Sequence, residues 1–291
     1  MVKVSISPGR RKFLRLAAAS SATVALGCLG YGYAVHEHVA VSRVDVRLKT
    51  LPAQFDGLTI AHLSDIHHGA FTGLDYISRC VEITNALKPD IIALTGDYTL
   101  RERRFIEPCA EALRTLRARV GVFAVLGNHD YYQSAGETIG ALRRAGLSVM
   151  IEGRERLEKR GAAISLLGAD DFLYGHYDVA RLFRDIPPDE TRVVLAHNPD
   201  YIGRVAGNKQ YADFMLSGHT HGGQVRAPLL GAPHVISEYG QTYVIGLNQL
   251  AGEYGAKGPM QIYTTRGVGV IYAPVRFQCL PEIALYTLRQ A

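Results

Sequence analysis

The chain has 291 residues, 47% of them hydrophobic, and a mean hydropathy of +0.02; it can bury a large core as one α/β domain or two small ones, and it is too apolar to be disordered. Its formal net charge of +5 is supplied in full by Lys3, Arg10, Arg11, Lys12 and Arg15, which all precede the first acid, Glu37. The rest of the chain is electrically balanced, which excludes the basic footprint of a nucleic-acid-binding protein.

The N-terminus, Arg10-Arg11-Lys12-Phe13-Leu14-Arg15 followed by an uncharged run from Leu16 to Val35, reads as a targeting segment and resembles a twin-arginine export signal. The run is about long enough to span a bilayer, so a retained anchor and a cleaved peptide both stay open. Gly32-Tyr33-Ala34 offers small residues for cleavage, and Ala25-Leu26-Gly27-Cys28 is a poor lipoprotein box. Residues 1–34 are expected to direct export and residues 35–291 to form the folded domain. Cys28, Cys80, Cys109 and Cys279 include no Cys-x-x-Cys pair and read as small hydrophobes rather than a disulfide framework.

Val44, Val46 and Leu48 alternate with Asp45, Arg47 and Lys49, the pattern of a half-exposed strand. Leu58 to Leu63 is a mostly apolar run consistent with a strand buried on both faces, and it leads into Ser64-Asp65-Ile66-His67-His68-Gly69. Ile77, Cys80, Val81, Thr84 and Leu87 then recur at helical spacing until Lys88-Pro89 stops the helix. Asp90 to Thr95 gives a second buried strand ending at Gly96-Asp97, and Phe105 to Leu116 a second helix. Gly121 to Leu126 gives a third strand ending in Gly127-Asn128-His129-Asp130. This rhythm implies parallel crossovers, with ligands bound outside the carboxyl ends of the strands.

After a helix over Thr138 to Ala145, the runs Ser148 to Glu152, Glu155 to Lys159 and Ala162 to Leu167 suggest hairpins and a second sheet. A short helix over Val179 to Phe183 precedes a buried strand from Thr191 to Ala196, which delivers His197. A run from Tyr211 to Leu216 delivers Gly218-His219-Thr220-His221-Gly222-Gly223. Side chains at i and i+2 share a side of an extended backbone, so an extended stretch is expected for His219 and His221. Arg226 to Pro259 lacks periodicity and reads as a long loop or lid, and final strands are expected at Gln261 to Thr265 and Glu282 to Leu288.

Asp65, His67, Asp97, Asn128, His197, His219 and His221 thus collect at one sheet edge. Mixed oxygen and nitrogen donors without a thiolate suit Mn²⁺, Fe²⁺/Fe³⁺ or Zn²⁺, and the imidazoles argue against a Ca²⁺ or Mg²⁺ cage. The set exceeds one tetrahedral site and fits two metals about 3.5 to 4 Å apart, with a carboxylate bridging and a water or hydroxide shared. With two divalent ions and two aspartates the site carries about +2, which suits an anionic phosphoryl group attacked in line by the bridging hydroxide. His129 is left over, to protonate the leaving oxygen or bond the phosphoryl group. Arg101 and Arg266 are candidate phosphate contacts, although a solvated loop arginine explains the first at least as well and a plain structural turn explains the second better. His62, His68, His176 and His234 carry no motif and read as structural or surface residues.

These ordered motifs, Asp65-x-His67, Gly96-Asp97, Gly127-Asn128-His129, His197 and Gly218-His219-x-His221, resemble the calcineurin-like metallophosphoesterase superfamily from Leu58 to the C-terminus. Gly222-Gly223-Gln224, Pro274-Val275-Arg276-Phe277 and Pro281-Glu282, with the export signal, resemble its branch of twin-arginine-exported or membrane-associated bacterial phosphodiesterases. The resemblance implies an α/β fold, a four-layer α/β/β/α sandwich of two mixed sheets flanked by helices. It also implies Asp65, His67, Asp97 and His221 on one metal and Asp97, Asn128, His197 and His219 on the other. The superfamily's protein phosphatases carry a further Asp that orients their histidine, and here Tyr98-Thr99-Leu100-Arg101 follows Asp97, so protein phosphatase activity is not expected. The expectation is a phosphodiesterase exported by the twin-arginine machinery to the periplasm or the outer face of the cytoplasmic membrane, acting on a phosphate ester and not on nucleic acid. One rival is a membrane-associated pyrophosphatase of a lipid-linked nucleotide such as UDP-2,3-diacylglucosamine, anchored to face the cytoplasm. The other is a catalytically silent metal-binding scaffold.

Overall fold

Strands that are apolar on both faces need cover on both sides, and the chain provides it with two sheets and two layers of helices. The computed structural model describes residues 26–250 and 257–291, with residues 12, 17, 23 and 252 in isolation. The twin-arginine pair and eight of the twenty residues of the apolar run behind it lie outside the described residues. One sheet contains β1 (Ala40–Leu48), β2 (Thr59–Leu63), β3 (Ile91–Leu94), β4 (Gly121–Ala124), β5 (Ser148–Val149) and β12 (Glu282–Gln290), in the order β1-β12-β2-β3-β4-β5. All its neighbours are parallel except β12 and β2. The other contains β6 (Gly153–Lys159), β7 (Ala162–Gly168), β8 (Thr191–Leu195), β9 (Phe214–Ser217), β10 (Gly246–Leu250) and β11 (Met260–Thr264), in the order β10-β11-β9-β8-β7-β6. Its middle is parallel and each edge is an antiparallel pair.

Alternation along each strand decides which layer a side chain joins. Ile60, Ile91, Ala93, Val193, Leu195, Phe214, Leu216 and Tyr286 meet between the sheets. Their neighbours Ala61, Ile92 and Leu94 turn outward onto Ile77, Cys80, Cys109 and Leu142, carried by the helices Leu74–Ala86, Ile106–Leu113 and Ala135–Arg144. On the far side Val194, Met215 and Ile262 pack on Val179, Leu182 and Ile202, from the helices Val179–Leu182 and Tyr201–Gly207. Three apolar layers thus separate four structural ones, the architecture expected from the resemblance. Cys80, Cys109 and Cys279 are free and buried, as small hydrophobes would be.

One helix end agrees with the expectation and one loop differs from it, each for a simple cause. Lys88 takes φ +49° and ends the first helix after Ala86, because the following proline disfavours a right-handed residue there. The stretch read as one long loop from Arg226 contains β10, a half-exposed edge strand. Its Gly-Leu-Asn-Gln-Leu sequence shows little β signal and is held by pairing with β11. At the N-terminus residues 26–35 are helical and lie against the domain: the Arg276 N–H donates to Gly32 O at 3.1 Å, and the Tyr31 and Phe277 rings meet edge-on at 5.9 Å. Among the described residues no helix is long and apolar enough to cross a membrane.

His62 is buried between the sheets, its ring nitrogens 2.8 Å from Tyr286 Oη and 2.8 Å from Thr95 Oγ1, which makes it structural as expected. Burial, opposed only by Glu282, lowers its pKa to about 3. In the unfolded chain the same imidazole takes a proton near its ordinary value of about 6.5. Below that pH the unfolded state binds a proton that the folded state refuses, so stability falls by up to about 1.4 kcal/mol per pH unit towards pH 3. His62→Gln should flatten that slope between about pH 6 and pH 4, read as unfolding free energy against pH in urea melts; an unchanged slope would show that His62 is not the group responsible.

Candidate metal centre

The candidate ligands leave the carboxyl ends of β2, β3 and β4 in one sheet and of β8 and β9 in the other. The site therefore bridges two facing sheet edges rather than lying along one. The loops are zipped together beyond the strands: Asp65 N donates to Gly96 O at 3.0 Å, His67 N to Asp97 O at 2.9 Å and Gly218 N to His197 O at 2.9 Å. The expected extended backbone is not found. Asp65, His67, Asp97, His219 and His221 have φ of +53°, +49°, +58°, +69° and +52°. Left-handed residues turn the chain sharply while its amides stay paired with the adjoining loop. Non-glycine residues hold that conformation at a cost on the order of 1 kcal/mol or more each, which the surrounding packing must enforce.

The side chains converge as two groups with Asp97 between them. In one, His67 Nε2 is 3.0 Å from His221 Nε2, and His221 Nε2 is 3.4 Å from Asp65 Oδ1. In the other, Asn128 Oδ1 is 3.1 Å from His197 Nε2 and 2.9 Å from His219 Nδ1. Asp97 Oδ2 stands 3.4 Å from His67 Nε2 and 3.3 Å from His197 Nε2. All seven are buried.

Burial holds His67 and His219 near pKa 3 and His221 well below its usual value, so these imidazoles are neutral, as ligands must be. Burial also pushes Asp65 up to about 6. For Asp97 burial opposes ionisation, but His197 and His67 outweigh it and hold the carboxyl well below the ordinary range. His197 feels the converse: burial resists its charging, and Asp97 draws it up to about 10. The field that draws a proton to this spot draws a cation equally.

The residues fit metal ions on their own chemistry. Thr95 O, an acceptor only, sits 2.6 Å from His197 Nδ1, so that nitrogen keeps its proton and Nε2, facing the site, is the nitrogen whose proton a cation would displace. His67 and His221 point two neutral nitrogens at each other, and buried carboxylate oxygens stand within 3.4 Å. Three donor groups, Asp65 with His67 and His221, Asp65 with Asp97 and His197, and His67 with Asp97 and His129, each gather within 4.8 Å.

The glycines of the motifs make this convergence possible. A Cβ on Gly127 would overlap Asp97 Oδ1 and lie 2.8 Å from His197 Cε1, and one on Gly218 would overlap Asp65 Oδ2 and Ser64 Oγ. Two further residues, to which the sequence motifs assign no role, support the site. Asp130 is buried and accepts from the backbone N–H groups of Asp97 (2.8 Å), Tyr98 (3.0 Å) and Gly127 (2.9 Å), tying the β3 loop to the β4 loop. Its place three residues after Gly127, at the start of the helix Asn128–Gln133, is where a helix-capping acid stands, and that is its legible signal. Fully buried Arg276 donates to the carbonyls of Arg266, Gly269 and Cys279, bracing the loop whose Gly269 N holds Asp65 O at 2.7 Å. The motif Pro274-Val275-Arg276-Phe277 marks its position but says nothing of this role.

His129 stands beside the donors, its ring edge-on to His67 at 4.7 Å. Its Nδ1 lies 2.8 Å from Leu100 O; a carbonyl here takes the place of the orienting carboxylate missing after Asp97, so Nδ1 carries a proton and Nε2 is the ring nitrogen that this carbonyl does not engage. The two arginines are placed differently. Arg266 is engaged by Glu282 at 2.9 Å and Ser42 at 3.3 Å, a structural ion pair rather than a free phosphate contact. Arg101 is exposed and lines a separate surface cavity with Phe71 and Phe105. His68 donates to Thr72 O at 2.8 Å and His234 is exposed.

The sequence pattern of calcineurin-like phosphoesterases matches residues 58–223. The chain belongs to that family. It is 33% identical over 290 residues to the phosphodiesterase YaeI of Escherichia coli (strain K12), covering 96% of this chain and 98% of that one. It is 30% identical over 291 residues to an uncharacterized metallophosphoesterase, YkuE, of Bacillus subtilis (strain 168), covering 96% and 97%. Among solved structures, a 5'-nucleotidase precursor from Thermus thermophilus superposes with a TM-score of 0.47 at 14% identity, covering 73% of this chain and 49% of that one. As a member of the family the protein is a metal-dependent phosphoesterase, a hydrolase that binds divalent metal.

If Asp130 holds the ligand loops in place, Asp130→Asn, which turns an acceptor-only group into a mixed one, should weaken Mn²⁺ binding about 10- to 100-fold, measured by calorimetric titration of the metal-free phosphoesterase. Unchanged affinity would remove Asp130 from the site's support.

Proposed function

We propose that this phosphoesterase is a dinuclear phosphodiesterase of the cell envelope. The observation that carries the reading is Asp97, whose carboxylate lies within 3.4 Å of an imidazole from each of two donor groups, the place of a bridging ligand. Asp65, His67 and His221 would hold one cation and Asn128, His197 and His219 the other, with Asp97 shared. Two divalent cations there supply an activated water and neutralise charge on the phosphoryl oxygens. Asp97 is kept ionised for this by its imidazole neighbours and by the His129 N–H, 2.9 Å from Oδ1. In hydrolysis the oxygen of water joins phosphorus, the P–O bond to the leaving group breaks, and His129 gives the proton on Nε2 to the leaving oxygen. Its Nδ1–H stays pinned to Leu100 O, so the ring keeps one orientation through the transfer.

A diester, with one negative charge, suits the site better than a dianionic monoester, because Arg266 is neutralised by Glu282 and Arg101 lines a different cavity. The relative named a phosphodiesterase supports the same choice. The envelope location rests on Arg10-Arg11 and the apolar run behind them.

With Mn²⁺ added, the full chain should cleave bis(p-nitrophenyl) phosphate faster than p-nitrophenyl phosphate. His129→Ala should lower kcat about 10²- to 10⁴-fold for an alkyl leaving group and less for nitrophenolate, which leaves without a proton. A preference for the monoester, or an equal loss for both leaving groups, would overturn the assignment. Separately, replacing Arg10 and Arg11 by lysine should leave the protein in the cytoplasmic fraction of cells that otherwise export it; export unaffected by the change would exclude the twin-arginine route.

A further inference from the structure

A cavity of about 370 Å³ opens beside the metal centre, and His219 and His221 form part of its wall. The rest of the lining is mostly hydrocarbon: Leu29, Val225, Pro233, Ile236, Ile271 and Val275. Among the described residues no lysine, arginine, aspartate or glutamate lines it. Of the polar side chains that do, exposed His234 and Tyr272 are open to solvent, and two others are committed elsewhere. The Gln224 amide donates to Ile271 O at 2.9 Å and Ala273 O at 3.1 Å and accepts from Ile271 N at 2.9 Å. The Thr220 hydroxyl donates to Val244 O at 2.7 Å. A sugar, a base or a peptide would find few partners here, whereas a chain of methylenes needs none.

The position of the cavity narrows the occupant further. Two of its wall residues are candidate ligands, so a group that fills it lies beside the place where cations would hold a phosphoryl group. One wall, Leu29, comes from the N-terminal helical segment, which also leaves Leu26, Tyr31 and Tyr33 exposed. Between Val225 and Pro233 the chain runs out to Leu229 and Leu230, both largely exposed to solvent. Exposed apolar side chains on the same two segments that wall an apolar cavity mark contact with lipid or with another apolar surface. The uncharged run that precedes Leu29, about long enough to enter a bilayer, makes lipid the partner.

Resting on the phosphoesterase reading, we propose that the cavity holds the hydrocarbon chain of a lipid phosphodiester whose phosphoryl group sits at the metal centre, and that residues 26–35 are part of the substrate site. Retention of the N-terminal segment as an anchor follows, because cleavage after Ala34 would remove Leu29 from the wall. Hydrolysis remains balanced as above: water adds to phosphorus, and one ester oxygen leaves with a proton.

The experiment uses the Mn²⁺-loaded full chain and a series of alkyl p-nitrophenyl phosphodiesters from methyl to octyl, each below its micelle concentration. The expected result is a rise in kcat/KM of roughly threefold per methylene, at least a hundredfold over the series, carried by KM with kcat nearly constant. Ile236→Asp and Leu29→Asp should each flatten that dependence. A flat series from the wild-type chain, with the methyl ester still cleaved, overturns the cavity assignment and leaves the phosphoesterase standing. If no ester is cleaved the catalytic reading fails, and calorimetry with octyl phosphate against methyl phosphate decides the cavity: tighter octyl binding supports the assignment and equal binding overturns it.

Discussion

An ionised carboxylate buried between two sets of imidazoles is the constraint to which the rest of the structure answers. Taking Asp97 out of water carries a desolvation cost of several kcal/mol unless charge and hydrogen bonds replace the solvent. Here His67, His197 and the His129 amide replace it. That requires ligands from two sheets to meet within a few ångströms, so the sheets must face each other with their carboxyl ends aligned. The layer of Ile60, Ile91, Val193, Phe214 and Tyr286 between them holds that alignment. The apolar core and the polar site are two consequences of one apposition.

The site is also a place where conformational strain is concentrated. Five candidate ligands occupy left-handed backbone conformations, the glycines beside them leave no room for a methyl group, and buried Asp130 and Arg276 saturate the amides and carbonyls of the loops that carry them. Strain of this kind persists only where the surroundings over-determine it. Short strands of high burial do so here, and a ligand set positioned in advance loses little entropy when cations bind.

The parts of the fold that were legible were those with a one-dimensional signal. Buried parallel strands read as apolar runs because both faces are covered, and Ile91 to Leu94 needs no partner to be recognised. The edge strand β10 has half its side chains in solvent and a glycine at its head, and its identity comes from pairing with β11. The same division holds at the site. The converging donor set was legible because its residue types and glycine neighbours are chemically restrictive. Arg266 was not, since its sequence neighbourhood says nothing of Glu282, 16 residues away.

By itself the sequence determined the donor set, the apolar periodicity and the basic, then apolar, N-terminus, because side-chain chemistry and alternation are local properties. Only the tertiary structure decided that the donors lie on two sheets and split around Asp97, that Leu100 O rather than a carboxylate orients His129, and that Leu29 walls an apolar cavity beside the ligands. Each of these joins residues tens to hundreds of positions apart, and such contacts exist only once burial of the apolar layers has brought their strands and loops together.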